Sequence, residues 1–321
     1  MKGLLFSLIL FFITLFILSS FLYYGQISMY YTAEKAVENR IKTMVKIIED
    51  VFEDSKRAMS IVTNRAIVSA VNYVIINGVG LNSANETIKE LILFSSIDGN
   101  KQPLMENSNI NDWISTMEYL ISLYGFESKI QIKDLKILPY DSFNIEVIFS
   151  LEIFLSDRKI ETNITKEKNF RVLVSIENIE DPLYPLNTYG RVVNVIRRSP
   201  NWPKYYYDNT TNLLDDMSNS YYNPSLNGAS FFDRLEGKYF VQEKYRRENI
   251  IGLESFVNKE KIELVGLPVR YNQTNIDYLY FSNFPVQSFK VYGMPDNFRL
   301  DNETTINNKT HLQIYNVSVI T

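Results

Sequence analysis

The chain contains no cysteine and a single histidine, His311. The first absence excludes disulfide staples, cysteine-ligated zinc and a cysteine nucleophile. The second leaves too little for a histidine-rich metal site, and a Ser-His-Asp triad would have to recruit this one imidazole. In "NNKTHLQIYNV" His311 lies beside an expected strand, which suits an ordinary surface or half-buried residue better than a general base. No cofactor motif is found, so no cofactor is expected.

A basic face is missing too. The 33 Lys and Arg are set against 37 Asp and Glu, for a net charge of −4. Nucleic-acid binding needs cations that neutralise phosphates, so no nucleic-acid partner is expected. The clustered cations are Arg197-Arg198 and Lys244 with Arg246-Arg247, and both groups read as solvated loops. With 45% hydrophobic and 22% charged residues, the composition is that of a folded chain.

Charge is also absent between Lys2 and Glu34, in "MKGLLFSLILFFITLFILSSFLYYGQ" and the residues that follow. Leu4 to Tyr24 is almost wholly Leu, Ile, Phe and small residues. At ~1.5 Å per residue it covers about 30 Å, the thickness of a bilayer's hydrocarbon core. A cleaved signal has a shorter apolar region and a small-x-small site, which "SSFLYYGQ" does not offer. Nor is there a polar face that a core helix could turn to water. The expectation is an uncleaved transmembrane helix that meets lipid through residues 4–24. Its marker residues are Leu4, Phe6, Leu8, Phe11, Phe12, Leu15, Phe16, Leu18, Phe21 and Tyr24.

Lys35, Arg40 and Lys42 follow the span, so a literal positive-inside count would leave the bulk of the chain in the cytoplasm. Long trailing domains translocate largely regardless of such charges. Asn-x-Ser/Thr sequons begin at Asn85, Asn163, Asn209, Asn272, Asn302, Asn308 and Asn316, candidate glycosylation sites in a number above the ~4 expected by chance. Together these favour a single-pass cell-membrane protein with a two-residue cytoplasmic stub and an extracytoplasmic body.

Neither proline nor glycine interrupts Gln26 to Ile76. Tyr30, Ala33, Val37, Ile41, Met44, Ile48, Val51, Met59, Val62, Ala66, Ala70 and Tyr73 form one stripe on a 3.6-residue period. The membrane helix is therefore expected to continue, with a bend near Gly25, into a long amphipathic helix. That helix serves either as a stalk or spine, with a face for homo- or hetero-oligomers, or as a helix folded against its own domain. "SANETIKELILFSS" reads as a helix opened by a Ser83/Glu86 capping box, and "NDWISTMEYLISLYG" as another closed by Gly125. "SKIQIKDLKIL", "FNIEVIFSLEIFL" and "NFRVLVSIENI" alternate as antiparallel strands. "SFFDRLEGKY" reads as a short helix, and "IDYLYFSNF" and "HLQIYNVSVIT" as strands.

The expected fold class is α+β: helices on an antiparallel meander sheet, with a smaller C-terminal α/β lobe. The expected segments are an anchor over 1–25, a stalk over 26–77 and a helix-plus-sheet domain over 78–196. A Pro-, Tyr- and Asn-rich linking excursion over 197–228 and a lobe over 229–321 complete them.

The stretches "VSIENIEDPLYPLNTYGRV", "SFFDRLEGKY", "IGLESFVNK", "IDYLYF" and "MPDNFRLDNE" resemble uncharacterised archaeal single-pass surface proteins, which are distantly type IV pilin-like. The resemblance covers most of the chain after the anchor. It implies a surface location and an anchor leading into a long helix and a β-rich domain, and it brings no catalytic residue. Lys2-Gly3 resembles the basic-glycine pair of prepilin processing sites, while Leu8 stands where such pilins carry a glutamate.

Three functions are consistent with these residues. The leading one is a membrane-anchored structural or interaction protein, of pilin-like or cell-surface assembly type. The second is an extracytoplasmic glycan- or solute-binding module, suggested by Tyr205-Tyr206-Tyr207, Tyr221-Tyr222, Tyr278, Tyr280 and Phe281. The third is a hydrolase using two of Asp233, Glu236, Glu243, Glu248 and Glu254, although no catalytic motif is present. Asp233 and Arg234 fit a cap and an ion pair better. Asp181 fits a turn better than a calcium site, since no Asp-x-Asp ladder follows it.

Overall fold

The computed structural model describes residues 2–207, 209–303 and 308–320, with all side chains there except those of Lys2, Leu4 and Leu5. Helix α1 spans Lys2–Asn77, and its hydrogen bonding continues through Gly25, where a bend was expected. Across the first apolar stretch the described side chains are exposed, including every marker residue except Leu4, which lies outside the described side chains. Three of its hydroxyls are satisfied within the helix. Thr14 donates to the carbonyls of Leu10 and Phe11, and Ser19 and Ser20 donate to that of Phe16.

The amphipathic stripe divides at Met44. From there Ile48, Val51, Met59, Val62, Ala66 and Ala70 are buried, whereas Tyr30, Ala33, Val37 and Ile41 are exposed. Up to Thr43 its described side chains are exposed except for half-buried Arg40, and from Met44 the helix is folded against the body. The buried part packs with α2 (Ala84–Phe94) and α3 (Ile110–Leu123), and a small hairpin of β1 (Ser96–Ile97) and β2 (Asn100–Lys101) adjoins α2.

Behind them lies an antiparallel meander of β3 (Glu127–Asp141), β4 (Asn144–Asp157) and β5 (Thr162–Ser175), with β4 central. The alternation of β4 decides which face is buried: Ile145, Val147, Phe149, Leu151, Ile153 and Leu155 point to the core. Phe149 faces Phe170 across the β4–β5 register, with ring centroids 5.1 Å apart, and Phe52 of α1 packs on Phe170 at 5.7 Å. Each buried ring contributes about 1.5–3 kcal/mol.

Two local expectations change here. Ser83 does occupy the N-cap of α2, but its hydroxyl donates to Asn85 Oδ1 and Glu86 forms no capping box. The orphan N–H of Ala84 instead donates to Glu236 Oε1 from far along the chain, at 2.8 Å. The reciprocal box forms on α3, between Asn109 and Asp112.

The rest of the chain contains α4 (Leu183–Asn187), α5 (Thr211–Asn219), β6 (Tyr222–Ser230), α6 (Phe231–Leu235) and β7 (Gly252–Ser255). There follow α7 (Lys259–Leu264), α8 (Asp277–Ser282), β8 (Ser288–Val291), β9 (Arg299–Asp301), α9 (His311–Ile314) and β10 (Val319–Ile320). The stretch 197–228, expected as a linking excursion, forms α5 and most of β6 and buries Tyr205, Leu213, Asp216, Tyr222 and Asn223. "IDYLYFSNF" is not a strand. It forms α8, where Asp277 to Phe281 are buried in succession, so neither a two- nor a 3.6-residue period is visible. "HLQIYNVSVIT" is a strand only at its end; its start is α9, capped reciprocally by Thr310 and Gln313.

Candidate functional site

Strands β6 and β7 pair antiparallel, with Tyr222 opposite Ser255, Asn223 opposite Glu254 and Pro224 opposite Leu253. Paired residues share a face and successive residues alternate, so this short ladder carries two separate polar clusters. After Ser225 the register shifts and Gly228 presses against Gly252, where any Cβ would overlap the Gly228 carbonyl oxygen.

On the Tyr222 and Ser255 face, Arg234 of α6 is fully buried. Its Nη1 donates to Asp181 Oδ2 at 2.5 Å and to Asp277 Oδ2 at 2.9 Å, and its other nitrogens donate to the carbonyls of Ala229 and Leu253. Tyr222 donates to Asp181 and Ser255 to Asp277, both at 2.8 Å. Burial alone would depress the guanidinium's pKa; the two carboxylates outweigh it and raise it. Burial raises the Asp277 carboxyl against the charge of Arg234. With every guanidinium nitrogen occupied, this centre joins α4, α6, α8 and both strands.

On the Asn223 and Glu254 face, Tyr315 donates to Glu254 Oε1 at 2.5 Å, and His311 Nε2 lies 3.6 Å from Glu254 Oε2. His311 Nδ1 meets Asp301 Oδ1 at 2.6 Å, and Tyr278 Oη is 3.2 Å from Nε2. Burial works against the imidazolium, but its bonds and attraction to Asp301 and Glu254 push the pKa up to about 10. The two carboxylates sit at opposite ring nitrogens, so the three groups cannot converge on one ion. Asn223 Nδ2 adds Tyr205 and Tyr315 to the cluster, and Tyr205 donates to Asp216 at 2.5 Å.

Of these polar groups, Glu254 reaches a surface groove. A cavity of about 230 Å³ is bordered by Glu254, Ser225, Trp202 and Lys309. A second, of about 510 Å³, continues on the far side of Trp202, Pro224 and Ile250 toward Arg198, Asp141 and Asn249. Trp202 is held edge-on by Tyr205 and Tyr315, at centroid distances of 6.2 and 6.4 Å.

The acidic row expected as a hydrolase candidate does not gather. Asp233 closes a capping box with Ser230 at the start of α6. Glu236 binds the Ala84 N–H, Lys244 and Tyr245; Glu243 faces Arg246 on the surface; Glu248 is exposed. Burial pushes the Asp233 carboxyl up to about 6 despite its bonds from Ser230 and Gln242. Asp181 does serve its own turn, accepting from the Leu183 N–H at 2.9 Å, but its other oxygen belongs to Arg234. Lys259 is spent on the carbonyls of Tyr271, Gln273 and Asn297, which leaves it no free reach as a nucleophile.

Among the aromatics, Tyr205, Tyr222, Tyr278, Tyr280 and Phe281 are buried and Tyr206 and Tyr207 exposed. Six sequon asparagines are exposed, namely Asn163, Asn209, Asn272, Asn302, Asn308 and Asn316, while Asn85 is half-buried and accepts from Tyr245. The cap at Asp233 and an ion pair at Arg234 were expected and are present, but the partners Asp181 and Asp277 and the whole His311 centre were missed, because they come from distant parts of the chain and a buried aspartate carries no local mark. Compared with known proteins, the chain matches no family model, no curated protein and no solved structure.

Proposed function

We propose that the chain is a single-pass membrane protein whose α+β body works by interaction or assembly at the cell surface, held off the bilayer by α1. The observation that carries this reading is the division of α1. An 18-residue window near its N-terminus has a mean hydropathy of 2.3 and no burial, while the same helix beyond Met44 forms the body's core. Exposing that many large apolar side chains to water is costly; in hydrocarbon the cost vanishes. The back-bonded hydroxyls of Thr14, Ser19 and Ser20 suit lipid for the same reason.

Between anchor and body, Ile27, Tyr30, Val37 and Ile41 keep the stripe's period and are exposed. A second helix of the same kind would cover them. The exposed sequons accord with an extracytoplasmic body. Size analysis of the full chain in mild detergent tests the assembly half of the proposal. Oligomers lost on Val37→Arg/Ile41→Arg support it, and a strict monomer at every concentration overturns it.

A further inference from the structure

The structure assigns a second role to the body: we propose that the groove over Trp202 binds a short, uncharged glycan. This does not rest on membrane attachment, and either reading can fail without the other.

The groove has the parts such a ligand needs. At its centre Trp202 is half-buried and borders both cavities, so one indole serves as a platform between two adjoining subsites. Sugar rings carry apolar C–H faces edged with hydroxyls, and amphipathic aromatic side chains match that pattern. The platform is prearranged by edge contacts to Tyr205 and Tyr315. That removes part of the ordering cost of binding.

On one side Glu254 borders the smaller cavity while remaining almost wholly buried. A carboxylate accepts strong, charge-assisted hydrogen bonds from hydroxyls. Its other contacts, to Tyr315 and His311, fix its position at the cavity's edge. Ser225 and Lys309 stand beside it, and Arg198, Asp141 and Asn249 border the far subsite. The formal charges along the groove are two carboxylates and two cations. That balance favours a neutral polyhydroxy ligand over a strongly charged one. At about 510 Å³ the larger cavity lies within the usual range of small-ligand sites, roughly 300–1,000 Å³.

The chain has two tryptophans, and Trp113 is removed from the groove, donating to Asp54 of α1 at 3.0 Å. The test therefore uses the full chain carrying Trp113→Phe, in a detergent without a sugar headgroup, with Trp202 emission as the readout. The probes are cellotetraose, mannotetraose, chitotetraose and a proline decapeptide. The proposal expects a saturable emission change with at least one sugar. It also expects Trp202→Tyr, read by calorimetry, and Glu254→Gln each to weaken binding at least about tenfold, the loss of one good contact. Arg198→Ala on the rim gives a second variant that leaves the buried clusters intact, with a smaller loss expected. Three outcomes overturn it: no response to the sugars at millimolar concentration, binding of the peptide alone, or sugar binding unchanged in Trp202→Tyr and Arg198→Ala.

Discussion

Arg40 of α1 donates its Nε to Asp157 at the end of β4, and its guanidinium lies over the ring of Phe126 at 4.7 Å. This pair marks where the body takes hold of the long helix. On its N-terminal side the helix faces are exposed, and burial begins one turn later at Met44. Asp157 is wholly enclosed, and the bond from Arg40 holds its carboxyl below the ordinary carboxylate range. Its contribution is present above the unfolded value of about 3.8 and is lost as pH falls through the lower, folded one. Asp157→Asn should therefore flatten the acid side of the stability profile and open the Arg40 region to protease before the rest of the body. Limited proteolysis across pH 2–6 checks this.

Arg234 is the costliest residue to replace. Arg234→Met leaves Asp181 and Asp277 buried and facing one another without their cation, and should lower stability by about 3–5 kcal/mol. Arg234→Lys should recover only part, since one ammonium cannot span two carboxylates and two carbonyls in the same geometry. Urea unfolding of both variants gives the comparison.

His311 predicts a loss of stability toward high pH. Its folded pKa of about 10 lies above its ordinary value of 6.5, so its contribution is complete below about 6.5 and disappears as pH rises through 10. Between those limits the native state binds this proton more tightly than the unfolded chain does, so this group lowers stability as pH rises. His311→Gln should be less stable at pH 6.5 and lack that slope. Lys259 opposes the trend: burial depresses its pKa to about 7, so its own penalty eases as pH rises from 7 toward 10.5. The difference between wild type and His311→Gln isolates the histidine.

Gly252 holds the two strands together by having no side chain. In Gly252→Ala the added methyl overlaps the Gly228 carbonyl, so the β6–β7 ladder must separate. Both polar clusters should loosen together, with a loss larger than about 1 kcal/mol. A shared drop in amide protection at Glu254 and Ser255, read by hydrogen exchange, is the expected result.

How much of this was legible beforehand depends on the range of the interactions. The β3–β4–β5 meander follows from strict alternation in Ile145 to Leu155, and α1 from its uninterrupted 3.6-residue stripe. Both are local patterns. Helix α8 was hidden because its residues are buried on every side, which erases periodicity. The cap at Ala84 was misassigned because a carboxylate from 152 residues away replaced the local one. The groove was hidden for the same reason: Trp202, Glu254 and Lys309 meet only after β6 and β7 pair.

The central claim is that one continuous helix joins a lipid-embedded segment to a folded, water-facing body. The most direct test is to express the full chain in intact cells, extract membranes with alkaline carbonate and treat unopened cells with protease. The account predicts that the full-length protein stays in the carbonate-resistant membrane fraction, with its body cleaved from outside. Recovery of the folded body as freely soluble protein lacking its first apolar stretch would contradict it.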